Sequence, residues 1–169
     1  ISITASANPT CVGSVVIFTA VPVNGGTSPV FQWKVNGVVV GTNSPMYTYI
    51  PINGDIVNCI LTSNATCATG SPATSNSITM TVSLSFPVSV TVSASTNPVC
   101  QGQQVTFTAA PVNGGINPIY QWRINGIDVG INNPIFSYNP AHGDFVTCQL
   151  TSSFSCGTGN PASSNQINM

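Results

Sequence analysis

The sequence predicts an all-β protein built as two tandem β-sandwiches of about seven strands each. Three observations lead there. The first is an internal repeat at one constant offset. Cys11, Trp33, Cys59 and Cys67 return as Cys100, Trp122, Cys148 and Cys156, and Pro22-Val-Asn-Gly-Gly26 returns as Pro111-Val-Asn-Gly-Gly115. The second is a dense alternation of apolar and polar residues between Gly, Pro and Asn turns, the period of a half-buried strand. The third is the lack of any apolar stripe at helical spacing.

Each element follows in order. Ser2–Ala7 alternates and reads as strand A, stopped by Asn8-Pro9. Val16, Phe18 and Ala20 share one face of strand B, and Val105, Phe107 and Ala109 copy it. Pro22–Pro29 is a Gly-Gly turn. Phe31, Trp33 and Val35 form the inward face of strand C, which Asn36-Gly37 ends with a hairpin signal before the return strand Val38–Val40. Tyr47 and Tyr49 mark strand E. Val57, Cys59 and Leu61 alternate inward along strand F, Asn64–Ser75 reads as a long polar loop, and Ile78, Met80 and Val82 give strand G. The expected domains are residues 1–82 and 90–169, joined by a short stiff linker, 83–89, in which Pro87 and packed Leu84 and Phe86 limit motion. The expected cores centre on Trp33, Phe18, Trp122 and Phe107.

Composition narrows the function classes. Two Lys or Arg and three Asp, with no Glu, give a net charge of −1. Nucleic acid and anionic lipid both need clustered Lys and Arg, so neither is an expected partner. No apolar run is long enough to insert in a membrane. Ile1 begins inside a strand-like pattern, which suggests a window from a longer repeat array with any export signal outside it. Six cysteines in a Ser/Thr/Asn-rich chain favour an oxidising, extracellular or cell-surface setting. Zinc needs closely spaced Cys and His ligands, and the single His, His142, is Asn53 in the other copy, so no metal or other cofactor is expected. Asp55 and Asp144 each lack a second carboxylate nearby and read as turn residues capping backbone amides. Catalysis needs a nucleophile with a base, or two placed carboxylates, and the sequence offers neither. Asn64-Ala65-Thr66 is a lone glycosylation-type sequon that the second copy lacks.

The segments Gly13-x-x-Val16-x-Phe18-x-Ala20, Trp33 and Gly54-Asp55-x-Val57-x-Cys59 resemble the B–C–F core of an immunoglobulin-like domain. Asn8-Pro-Thr-Cys-Val-Gly13, Tyr120-Gln-Trp-Arg-Ile-Asn-Gly126 and Gly143-Asp-Phe-Val-Thr-Cys148 are similar to bacterial Ig-like and PKD-like repeats. Such repeats occur in exported surface proteins of the Bacteroidetes, among them type IX secretion substrates, gliding adhesins and stalks of secreted enzymes. The resemblance covers both copies and implies two immunoglobulin-like sandwiches. It departs from the antibody pattern at strand B, where Ala20 and Ala109 stand in place of the first inter-sheet cysteine.

The disulfide candidates are Cys11, Cys67, Cys100 and Cys156. Cys59 and Cys148 are buried thiols or alternative partners. A Cys11–Cys59 bridge is strained, because Cys11 lies roughly 30 Å of extended chain from the level of Ala20 and a disulfide needs Cα atoms within about 7 Å. In one alternative Cys67 folds back onto Cys59. In the other a Cys11-type residue joins a Cys67-type residue, as the shorter relatives imply. That bond lies inside one repeat or between neighbours, as Cys11 with Cys156, and in the latter case leaves Cys67 and Cys100 for further repeats. Spacing alone does not fix the connectivity.

The leading functional expectation is a structural module of an extracellular stalk, adhesin shaft or surface filament. Its partners are neighbouring repeats and, through end-to-end assembly, other copies. The alternative is a polysaccharide-binding or cell-adhesion module working through polar loops and exposed aromatics, with Tyr49 and Tyr138 as the ligand surface. Core packing is the competing assignment for those tyrosines, since Tyr47 is Phe136 in the second copy.

Overall fold

The computed structural model describes all residues, Ile1–Met169, and divides them into two units, Ile1–Leu84 and Ser85–Met169. Both are immunoglobulin-like β-sandwiches without helix. Unit 1 contains β1 (Ser2–Ala5), β2 (Thr10–Cys11), β3 (Val16–Val21), β4 (Val30–Val35), β5 (Val38–Val40), β6 (Met46–Tyr49), β7 (Ile56–Thr62), β8 (Ala73–Thr74), β9 (Ile78–Thr79) and β10 (Val82–Ser83). One sheet runs β1-β3-β6 and the other β5-β4-β7-β8, with β9 also on β7. β2 and β10 add a two-stranded parallel pair.

Unit 2 repeats this plan with β11 (Phe86–Pro87), β12 (Ser89–Ala94), β13 (Val105–Val112), β14 (Ile119–Ile124), β15 (Ile127–Val129), β16 (Ile135–Tyr138), β17 (Phe145–Thr151), β18 (Gly157–Thr158), β19 (Ala162–Ser163) and β20 (Ile167–Asn168). Its sheets are β12-β13-β16 and β15-β14-β17-β19, with β20 on β17. Here the extra parallel pair is β11 with β18.

The alternation decides which side chains enter each core. Val16, Phe18 and Ala20 on β3 are at most 4% exposed, and Val57, Cys59 and Leu61 on β7 at most 3%. Trp33, Trp122, Phe18 and Phe107 are fully buried, and burial of each such side chain contributes about 1.5–3 kcal/mol. Each indole N–H still needs an acceptor: Trp33 Nε1 donates to the Ser44 carbonyl and Trp122 Nε1 to the Asn133 carbonyl, both at 2.8 Å. The β4–β5 hairpin turns at Asn36 and Gly37, with φ of 53° and 82°, the left-handed pair that an Asn-Gly turn supplies.

Several expectations change. Strand A ends at Ala5, two residues early, and the chain pairs again at Thr10–Cys11. Strand G is three short pieces, and the loop expected over Asn64–Ser75 stops where β8 pairs with β7. The cause of the break is Ser75. Its Oγ accepts the Cys59 N–H at 2.9 Å while its own N–H donates to the Cys59 carbonyl at 2.9 Å, so a side chain replaces one backbone partner. The expected linker is shared out: Ser83 is paired in unit 1, while Phe86 and Pro87 are paired in unit 2. Phe86 packs on Phe154 at 6.2 Å. Leu84, expected to pack, is 67% exposed, because its place between two short pairings leaves it no sheet face to cover.

Candidate functional site

The residues that carry chemistry gather at the turn leading into β7 and its copy before β17. Asp55 is 5% exposed. Its Oδ2 accepts the Ile52 N–H at 3.0 Å and the Tyr49 hydroxyl at 3.2 Å, and its Oδ1 accepts Asn36 Nδ2 at 2.8 Å. Asn36 Oδ1 in turn accepts the Ile56 N–H at 2.9 Å. One carboxylate therefore ties the β4–β5 hairpin, strand β6 and the β7 turn together. Asp144 repeats the node with Ala141, Asn125 and a longer 3.4 Å bond from Tyr138. The Ala141 N–H, then Asn125 and Tyr138, hold the Asp144 carboxyl below its ordinary range. Burial, followed by the charge of Asp144 and the bond to it, pushes the Tyr138 hydroxyl up to about 12, and the same causes at Asp55 raise Tyr49 further.

Tyr49 and Tyr138 belong to aromatic stacks. Tyr49 lies 5.6 Å from Phe18 and 5.2 Å from Tyr47, and Tyr138 lies 5.7 Å from Phe107 and 5.5 Å from Phe136. Both rings are half-buried and their hydroxyls face an aspartate of the same unit. Proposed from sequence as a ligand surface, they present packed faces and engaged hydroxyls instead. Alternation alone does not reveal this, because an inward ring at a sheet margin and an outward ring share the same spacing.

Cys11 and Cys156 are disulfide-bonded. Cys59, Cys67, Cys100 and Cys148 are free thiols, the first and last buried, the middle two exposed. With both members free, the Cys59–Cys67 alternative is not formed. Cys59 is register partner to Trp33 in the core, out of reach of a loop cysteine. Burial raises the thiol pKa of Cys59 and pushes Cys148 up to about 11. No three His, Cys, Asp or Glu side chains come together in a group able to hold a metal ion.

Sequence reasoning missed a set of asparagines. Asn76 Oδ1 accepts the Ile3 N–H at 2.8 Å and its Nδ2 donates to the Ile3 carbonyl at 3.1 Å, and Asn165 does the same for Val92 at 2.8 and 2.9 Å. These amides join the two sheets across their open side. Asn64, the sequon residue, accepts the Ser28 N–H at 2.9 Å and closes the Pro22–Pro29 loop; Gly26 has φ +80° there, with no room for a Cβ beside Asn64. In unit 2 Ser153 takes that role, accepting from Asn117 at 2.9 Å. The recurrence of these residues at the repeat offset was the available signal.

In unit 1 the turn after the first long strand pairs with Thr81–Ser83: the Thr10 N–H donates to the Thr81 carbonyl at 3.0 Å and the Val12 N–H to the Ser83 carbonyl at 2.9 Å. In unit 2 a cavity of about 610 Å³ is lined by residues of Asn97–Gly102 and Asn139–His142 and by Met169.

No family model matches the chain, and no curated protein matches it. Solved structures do. The full ectodomain of mouse nectin-like molecule 4 aligns over 99% of the chain at 12% identity and a TM-score of 0.40; the chain spans 62% of that ectodomain. The fibronectin(III)-like modules of Clostridium thermocellum CbhA align over 98% of the chain and 90% of their own length, at 12% identity and a TM-score of 0.44. The ligand-binding domain of human OSCAR aligns over 99% of the chain and 97% of its own length, at 11% identity and a TM-score of 0.35.

Proposed function

We propose that this chain is a non-catalytic structural module of an extracellular stalk, adhesin shaft or surface filament, which extends or presents other domains. The observation that carries the reading is how the reactive side chains are spent. In both units the aspartate of the turn before strand F accepts from a tyrosine hydroxyl of strand E, an asparagine side chain of the hairpin after strand C and a backbone amide. A module that commits its only conserved-in-both-copies carboxylate to a turn is built for persistence of shape. The Bacteroidetes surface setting is part of this proposal and is supported by the sequence resemblance. The oxidised state of Cys11 and Cys156 supports an extracellular location, since disulfides persist in oxidising compartments. We further propose that these two cysteines bond to each other, so that a covalent link joins neighbouring repeats.

The test separates this reading from polysaccharide binding. Soluble polysaccharides are titrated against the wild-type chain and against Tyr49→Phe and Tyr138→Phe. The structural reading expects no saturable binding, and a stability loss of about 1 kcal/mol for Tyr49→Phe as the hydrogen bond to Asp55 goes. Saturable binding that Tyr138→Phe abolishes with the fold intact would overturn it in favour of a glycan-binding module.

A further inference from the structure

The outer face of the sheet β1-β3-β6 differs from its counterpart in unit 2 in a way the fold does not require. Strand β3 alternates, so Val16, Phe18 and Ala20 enter the core while Ile17, Thr19 and Val21 face outward. The register sets Met46 of β6 beside Thr19 and Thr48 beside Ile17, and Val15 and Ile50 continue the face past the last pair. Val15, Ile17, Val21, Met46 and Ile50 are 38–59% exposed. Unit 2 carries Gln104, Thr106, Ala110, Ile135 and Asn139 at those positions. There the Thr106 and Ser137 hydroxyls bond each other at 2.9 Å, in the cross-strand pair that Ile17 and Thr48 form in unit 1. The strands behind the two faces bury the same side chains, Val16, Phe18 and Ala20 in one and Val105, Phe107 and Ala109 in the other. The outward apolar residues of unit 1 are therefore not needed to hold the sandwich. A contiguous exposed apolar patch of this kind marks an interaction surface.

We propose that this face of unit 1 binds the same face of a second copy of the chain, through a two-fold contact between sheets. Three properties fit that partner. No side chain on the face is ionisable, Ser2 and Thr4 of β1 included, so two copies meet without like-charge repulsion and a charged partner finds nothing to pair with. No aromatic ring lies on it, because Tyr47 and Tyr49 pack on Phe18 behind it, so it lacks a platform for stacking a sugar. Its size is the third. Seven residues of Val15–Val21 at about 3.3 Å each, and three strands about 4.8 Å apart, make a face of about 23 by 14 Å. With side-chain relief that is about 500 Å² of accessible surface, so two copies bury about 1,000 Å², the lower bound for a specific interface. A two-fold axis makes such a surface self-complementary, and sheets pack face to face about 10 Å apart. The chain itself does not cover the face. The segment that leads into unit 2 pairs with β18 and leaves Thr108, Ala110 and Ser137 on the corresponding face exposed.

The experiment is sedimentation equilibrium of the whole chain. The exposed thiols of Cys67 and Cys100 are alkylated first, so that no disulfide between copies contributes. A monomer–dimer equilibrium with a Kd on the order of 100 µM is expected from an interface this small. The triple variant Ile17→Thr, Val21→Ala and Ile50→Asn gives unit 1 the residues that unit 2 carries on the same fold. It is expected to weaken association by about tenfold or more. Thr19→Lys, which sets like charges against each other at the centre of a two-fold contact, is expected to leave only monomer. Dilution of the wild-type chain is expected to move the amide resonances of Ile17, Val21 and Thr48 and to leave those of Thr106 and Ala110 in place. A wild-type chain that stays monomeric up to about 1 mM, a dimer that both variants leave intact, or dilution shifts confined to unit 2 overturns the proposal. Such a failure would leave the polysaccharide titration unaffected, just as saturable glycan binding would sink the structural reading without touching this face.

Discussion

At the scale of single residues, the Asp55 node shows how a chain with very few charges uses one. Asp55 is buried with three donors aimed at it. Removing it strands those donors, so Asp55→Ala is expected to cost about 2–3 kcal/mol in urea denaturation. Asp144→Ala should cost less, because its site is more open and its tyrosine bond is longer. The lowered Asp144 pKa makes a pH prediction. A depressed carboxylate pKa stabilises the fold above the unfolded value, near 3.9, and that contribution is lost as pH falls through the folded value. Tyr138 works in the opposite direction. Its raised pKa gives a contribution that is complete below the unfolded value of about 10 and disappears as pH rises through about 12. Thermal melts across pH should therefore fall at both extremes, and Tyr138→Phe should remove part of the alkaline fall. The capping role of the aspartates was legible in the sequence, since Gly-Asp before an apolar strand is turn chemistry. The tyrosine partner was not, because a bond between positions on different strands leaves no local pattern.

At the scale of elements, the strands announced themselves wherever burial alternates. β3, β4 and β7 fall where Phe18, Trp33 and Cys59 alternate with polar residues. Strand G was misread because its pairing is interrupted by side chains. Ser75 and Asn76 spend their polar atoms on Cys59 and Ile3, and a serine-asparagine pair inside an apolar strand looks from sequence like a loop. This gives an element-scale prediction. Asn76→Ala and Asn165→Ala each remove two bonds to strand A, and each is expected to cost about 1–2 kcal/mol. Amide exchange should speed up at Ile3 in the first variant and at Val92 in the second. Unchanged exchange at those amides would show that the asparagines do not hold the first strand in place.

At the scale of the molecule, the duplication was the plainest message of the sequence, and the two sandwiches repeat each other down to single hydrogen bonds. Asn43 bonds the Phe31 amide and Asn132 the Tyr120 amide, both at 2.8 Å. What the duplication concealed is where the copies differ. The same cysteine position is bonded in one copy and a free thiol in the other. No pattern within one repeat encodes such a difference. The pairing of Cys11 with Cys156 proposed above leaves Cys67 and Cys100 as exposed free thiols. The measurement that tests it most directly is alkylation of the native chain near pH 8, followed by non-reducing peptide mapping. The expected result is rapid labelling of Cys67 and Cys100, slow labelling of the buried Cys59 and Cys148, and one disulfide-linked peptide pair containing Cys11 and Cys156. Links of Cys11 to Cys67 and of Cys100 to Cys156 would contradict it, and would make the chain two independently closed domains.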